Sequence, residues 1–231
     1  MKKVFIFGLS VALVAGSVTS CKKTSTGKVS NEWKTTSWNS TETNTDANGT
    51  DVTTVASADG ATITVTNTYT PSGGTAGSPN TTSGTINDMS YVINKDGTYS
   101  NVQDVTFTAT FTGGSVVSNS VSTSTGTWNF LSSNKTEDFK KNERVIFHTL
   151  TENSTDTQTV TSSGVTGSPD VTTSASTYAT GESSVTFVVV ESTGKMLSLM
   201  MEEDMTESNT DSNGTSTSSS MSTLEFTLEQ K

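Results

Sequence analysis

Cysteine occurs once in 231 residues, histidine once and proline three times, and each scarcity closes off a class of protein. A single cysteine leaves no internal disulfide, so the fold must be held by a buried core rather than by staples. One histidine and one cysteine cannot supply the three or four ligands of a structural or catalytic zinc site. Basic residues are also scarce, 13 against 23 acidic for a formal net charge of −10. Nucleic-acid binding needs a basic footprint, and none exists. Hydrophobic residues make up only 30% of the chain, low enough to raise the question of disorder. Yet the apolar residues are gathered into alternating runs, which a disordered chain has no reason to keep. Serine and threonine account for more than a third of all positions. Threonine suits strands, because its branched β-carbon restricts χ1 and packs on a pleated surface.

The first twenty residues read as an export leader. Met1-Lys2-Lys3 is a short positive start, Val4 to Val18 is apolar, and small residues lead to Cys21; that order is the three-part plan of a secretory signal. The apolar run is shorter than the roughly 20 residues that span a bilayer. Val18-Thr19-Ser20-Cys21 resembles the lipobox of bacterial lipoproteins, with Val and Thr where that family usually has Leu and Ala. The resemblance implies a diacylglycerol on Cys21 and cleavage before it, since stable anchoring takes two acyl chains or a second signal. Two lysines leave with residues 1–20, so the mature net charge is −12. Lys22 and Lys23 follow the cysteine where an aspartate would mark inner-membrane retention, which leans towards the outer membrane. The expected organisation is a leader over 1–20, a tether over 21–28 and one domain over 29–231.

Beyond the tether the chain reads as strand, turn, strand. Val52–Ala58 and Ala61–Thr70 flank Asp59-Gly60, and Ile86–Asn94 and Thr98–Thr112 flank Lys95-Asp96-Gly97; both are hairpin signals. Val105, Phe107, Ala109 and Phe111 share one face against Thr106, Thr108 and Thr110. Ser115–Leu131, Arg144–Val160, Val171–Ala179, Ser184–Glu191, Met196–Glu207 and Thr215–Glu229 continue the pattern, with Lys135–Glu143 as the one plausible helical turn. About ten short strands at regular spacing predict an all-β antiparallel barrel or sandwich. Glu32-Trp33-Lys34, the Asp96-Gly97-Thr98-Tyr99 hairpin, Gly126-Thr127-Trp128 and the alternating Met196–Leu199 and Leu224–Leu228 runs resemble, in that order, the lipocalin-like domains of envelope lipoproteins. Asn31 stands where lipocalins proper carry the glycine of Gly-x-Trp. The resemblance covers residues 29 to the end and implies an up-and-down barrel of eight to ten strands whose first and last strands meet. Eight strands leave an interior either filled by side chains or holding one small ligand.

Residues able to do chemistry are sparse. His148 shares a face with Ile146 and Leu150 and has no nucleophile motif beside it, so no enzyme is expected. Asn44–Gly49 and Asn209–Gly214 imitate half of a calcium loop, but the twelfth positions are Val55 and Ser220, not glutamate; type I′ turns are the better reading. Glu202-Glu203-Asp204 alternate faces if on a strand, which suits a solvated strand end. Trp33, Phe107, Phe111, Trp128, Met200 and Phe226 are the candidates to line a ligand cavity, or else to make the core. The expected function is non-enzymatic binding of a small apolar or amphipathic molecule, with the membrane as partner through the Cys21 lipid and neither nucleic acid nor cofactor nor metal. The rival is a structural or adhesive surface protein with a filled barrel and Ser/Thr-rich loops.

Overall fold

The computed structural model describes residues 26–46, 48–132, 142–211 and 214–231. Cys21, the leader and residues 135–141 of the segment expected as a helical turn (135–143) lie outside these residues. A four-residue helix α1 (Thr26–Val29) precedes twelve strands. They are β1 (Glu32–Thr45), β2 (Asp51–Asp59), β3 (Thr62–Thr70), β4 (Asn80–Ile93), β5 (Thr98–Phe111), β6 (Gly114–Leu131), β7 (Arg144–Ser162), β8 (Val165–Thr166), β9 (Asp170–Thr177), β10 (Ser184–Ser192), β11 (Met196–Asp211) and β12 (Gly214–Gln230).

The strands form a closed antiparallel barrel. β1 through β7 pair in sequence, β7 pairs β10, and β10–β11–β12 returns to β1, a ring of ten strands. β9 and β10 act as two halves of one position, both on the same edge of β7: Gln158–Thr151 pairs with β9 and His148–Arg144 with β10. At the base, β1 pairs directly with β4 through Glu32↔Val92, Trp33↔Tyr91 and Lys34↔Ser90. The β2–β3 hairpin is wedged between them higher up, so the ring narrows to eight strands below it. Above Met200, no ladder among the described residues joins β11 to β9. The wall therefore parts along a seam towards the rim.

Local sequence explains the bends. Register shifts lie at Thr35/Ser37, Ile86/Asp88, Thr125/Gly126 and Val189/Glu191, and such bulges increase twist and let a sheet close. Three inward glycines each face an aromatic ring on the neighbouring strand: Gly126 opposite Tyr99, Gly84 opposite Phe107, Gly114 opposite Phe111. A β-carbon on Gly84 would meet the Phe107 ring at 2.7 Å. The missing side chain is what lets the ring lie flat across the strand. Outward faces carry hydroxyl ladders, with Thr43–Thr53 at 3.1 Å and Thr66–Thr81 at 2.9 Å; cross-strand threonine pairs of this kind stabilise a sheet without apolar surface.

Val29, the first residue of the expected domain, ends α1 fully buried in the core, and its carbonyl accepts the Trp33 Nε1–H at 2.8 Å. Two expectations need correcting in detail. The Gly-, Pro- and Ser-rich stretch 71–84 reads as a loop in sequence, but the loop ends at Asn80, because Asn80–Thr85 continue the β3 ladder. The second Asn-Gly segment belongs mostly to strands, since Asn209, Thr210 and Asp211 stay in register with Ser216, Thr215 and Gly214. The first is a turn: the Asp46 carboxylate accepts the backbone N–H of Asn48 and Thr50 at 2.8 and 2.9 Å. Those bonds hold the Asp46 carboxyl below its ordinary pKa.

The inward face of the barrel as candidate functional site

The lower interior is solid. Val29, Trp33, Ile93, Tyr99, Trp128, Val145, Phe147, Phe187, Leu197, Leu199, Phe226 and Leu228 form one buried cluster. Phe147 packs edge-on against Tyr99 and Phe187, with centroids 4.8 and 5.9 Å apart, and Phe187 meets Phe226 at 5.2 Å. Trp128 Nε1 donates to the Asn94 carbonyl at 2.8 Å, as Trp33 does to Val29. Both indoles have thus used their one donor on backbone, a satisfied-core arrangement. Of the six cavity candidates, Trp33, Trp128 and Phe226 belong to this plug.

The other three diverge. Phe107 is half-buried beside a second cluster of Ala58, Ile63, Ile86, Met89 and Val105. Phe111 stands at the rim, 49% exposed. Met200 pairs with Glu225 and Val188 on the outward face, whereas Met201 and Leu199 turn inward. Strand alternation makes Met200 a wall exterior residue, so it lines nothing.

Above the plug the two sides of the interior differ. β2 to β5 present Ala56, Ala58, Ile63, Ile86 and Val105 inward, all buried. Across from them, the inward positions of β6 and β7 are Ser118, Ser120, Ser122, Ser124, Glu152 and Ser154, as the cross-strand register fixes. Between these walls lies Tyr91, stacked on Phe226 at 5.6 Å and 12°. Its hydroxyl interacts with Asn101 and Gln103, and Ser124 Oγ donates to Asn101 Oδ1 at 2.5 Å. Nearby, Tyr99 Oη and Thr149 Oγ1 are 2.8 Å apart, and Tyr178 Oη donates to Glu152 Oε2 at 3.2 Å. The floor of the upper barrel is thus aromatic in body and polar at its tips.

Burial is the main force on Tyr91, and it pushes the phenol up to about 12. The unfolded chain would ionise this group near pH 10, so between about 10 and 12 the unfolded state has lost a proton that the folded state keeps. Stability therefore falls as pH rises through that window. An ultraviolet difference titration of the parent against Tyr91→Phe is expected to isolate a Tyr91 step at about pH 12. A difference step at the ordinary tyrosine pH would contradict the packing.

His148 lies outward on β7, half-buried, with Nδ1 2.6 Å from Ser184 Oγ on β10. Ser184 is its cross-strand partner in the β7–β10 ladder. Sequence reading missed the polar wall: Tyr91, Asn101, Gln103, Ser124 and Glu152. The available signal was the unbroken alternation Ser118, Ser120, Ser122, Ser124, which places one residue type on one face of β6. No family model, curated protein or solved structure matches this chain.

Proposed function

We propose that the chain is an envelope lipoprotein, anchored through Cys21 to the outer membrane, whose lipocalin-like barrel binds a small amphipathic molecule above its plugged base. The observation that carries this reading is the division of the upper interior into an apolar wall and a serine-lined wall over a tyrosine floor. An amphipathic guest satisfies both walls at once, as pockets with mainly apolar linings and a few placed polar groups do. The outward rows support a barrel that stands in water. A lipid-embedded barrel needs an outward apolar band about 25 Å tall, while β3 turns Thr62, Thr64, Thr66 and Thr68 outward, the partners of Thr85, Ser83, Thr81 and Thr53.

Two measurements test the two halves of the proposal. Membrane fractionation of the full chain in a bacterial host should move Cys21→Ser from membrane to soluble fraction; unchanged fractionation removes the anchor. A solvatochromic dye such as anilinonaphthalene sulfonate is expected to bind the mature chain and be displaced by detergent-like molecules. Ser122→Trp, which fills the space between the walls, should lower dye affinity about tenfold or more, 1.4 kcal/mol or above. Dye binding that ignores this substitution places the guest elsewhere. The rival, a structural or adhesive surface protein with a filled barrel and Ser/Thr-rich loops, gains if no dye binds at all.

A further inference from the structure

The basic residues of the described barrel are sorted by height and by face. Inward-facing carboxylates above the plug are Glu42, Glu152, Asp156, Asp170 and Glu203, as the registers Glu42↔Ser222, Ser124↔Glu152, Ser120↔Asp156, Gln158↔Asp170 and Glu203↔Ser222 establish. No lysine or arginine among the described residues occupies an inward position. Lys28, Lys34, Lys95, Arg144, Lys195 and Lys231 all lie at the base, on α1, at the base ends of β1 and β7, in the turns below β4–β5 and β10–β11, and at the terminus. Among the described residues, therefore, nothing basic offsets the acid of the upper interior.

A second observation is independent of the carboxylates. Ser222 turns inward from β12 between Glu42 on β1 and Glu203 on β11. It is 1% exposed, and its Oγ has no hydrogen-bond partner. A buried hydroxyl without a partner costs free energy, and it is aimed into the same space. Glu152 is held by Tyr178 and Glu42 by the Asn44 side chain at 2.6 Å, so two of the carboxylates are oriented by neighbours.

We infer that the upper barrel selects an amphipathic organic cation, its apolar body against β2–β5 and its charged end against Glu42, Glu152 and Ser222. This deepens the proposed binding function and rests on it. Among the described residues no three His, Cys, Asp or Glu side chains are grouped as a metal ion would require. The carboxylates are spaced along the wall, which suits an extended ammonium or amine better than a point ion. The acidic rim raises local cation concentration and speeds encounter.

The test uses the chain from residue 21 with Cys21→Ser, which keeps every element of the described residues, all within 26–231. Titration calorimetry below micelle-forming concentrations compares dodecyltrimethylammonium, laurate and dodecyl maltoside, which share one tail. The cation should bind about tenfold more tightly than either of the others. Glu152→Gln and Glu42→Gln should each weaken the cation about fivefold, the upper end for a solvent-accessible ion pair, and leave the maltoside unchanged. Glu225→Gln, an outward residue with the same change in net charge, should do neither. Equal affinity for all three tails, or equal loss with Glu225→Gln, overturns the cation and keeps the binding function. Binding of none overturns both.

Discussion

Replacing Trp33 by alanine should lower folding stability by about 3–5 kcal/mol, the range for deleting a buried large aromatic side chain. The indole is fully buried where β1 meets β4, and no flexible neighbour stands ready to fill the gap. Its loss opens a cavity among Val29, Ile93 and Leu228 and leaves the Val29 carbonyl without its donor. With about 2–4 °C of melting temperature per kcal/mol in a domain of this size, the variant should melt about 10 °C lower or more. Trp33→Phe separates the two contributions, because it keeps most of the packing and loses the hydrogen bond, for about 1–2 kcal/mol. An alanine variant that melts with the parent would mean that the base is not the folding core.

Gly126→Ala should cost about 3 kcal/mol or more, at the severe end for overpacking. A β-carbon there would run into the His148 carbonyl and press on the edge of Tyr99 at 2.8 Å. Neither can yield cheaply. The carbonyl belongs to the β7 ladder at the bulge, and Tyr99 is fixed both by its contact with Phe147 and by the Thr149 hydroxyl. Gly60 makes a useful contrast, since its φ is +59° but nothing lies within 4 Å of its would-be β-carbon. Gly60→Ala bears only the left-handed backbone penalty of about 1–2 kcal/mol. Chemical denaturation of the two variants side by side should separate a steric clash from a backbone preference. Equal losses would leave no role for the close approach of β6 to β7.

Alternation made the fold legible. Val105-Thr106-Phe107-Thr108 has one reading in a strand, and β5 takes it. Turn chemistry placed the hairpins at Gly60 and Gly97, both with positive φ. Alternation cannot say how high in the barrel a residue sits, because height depends on shear and on which strands are wedged in. That is why Trp128 and Phe111, equally apolar in sequence, end up in the plug and at the rim. Parity was also blurred by bulges: each inserts one residue and exchanges the faces beyond it. In Leu197-Ser198-Leu199-Met200-Met201 the alternation of the leucines already excludes Met200 from the interior, and a strict count would have caught it. The serine wall was hidden by composition, since serine is everywhere in this chain and one more row of it attracts no notice.

Val29, locked into the core beside Trp33, would set the length of leash between the lipid proposed at Cys21 and the rigid body. Eight residue steps separate the two positions, a reach of about 29 Å even when fully extended. An 18-residue strand such as β6 runs about 60 Å along its own axis. Under the proposed anchor, a barrel tethered so close by its plugged end would keep that end near the bilayer and its opening towards the aqueous side. A guest would then be exchanged with the solution, and not drawn sideways out of the membrane.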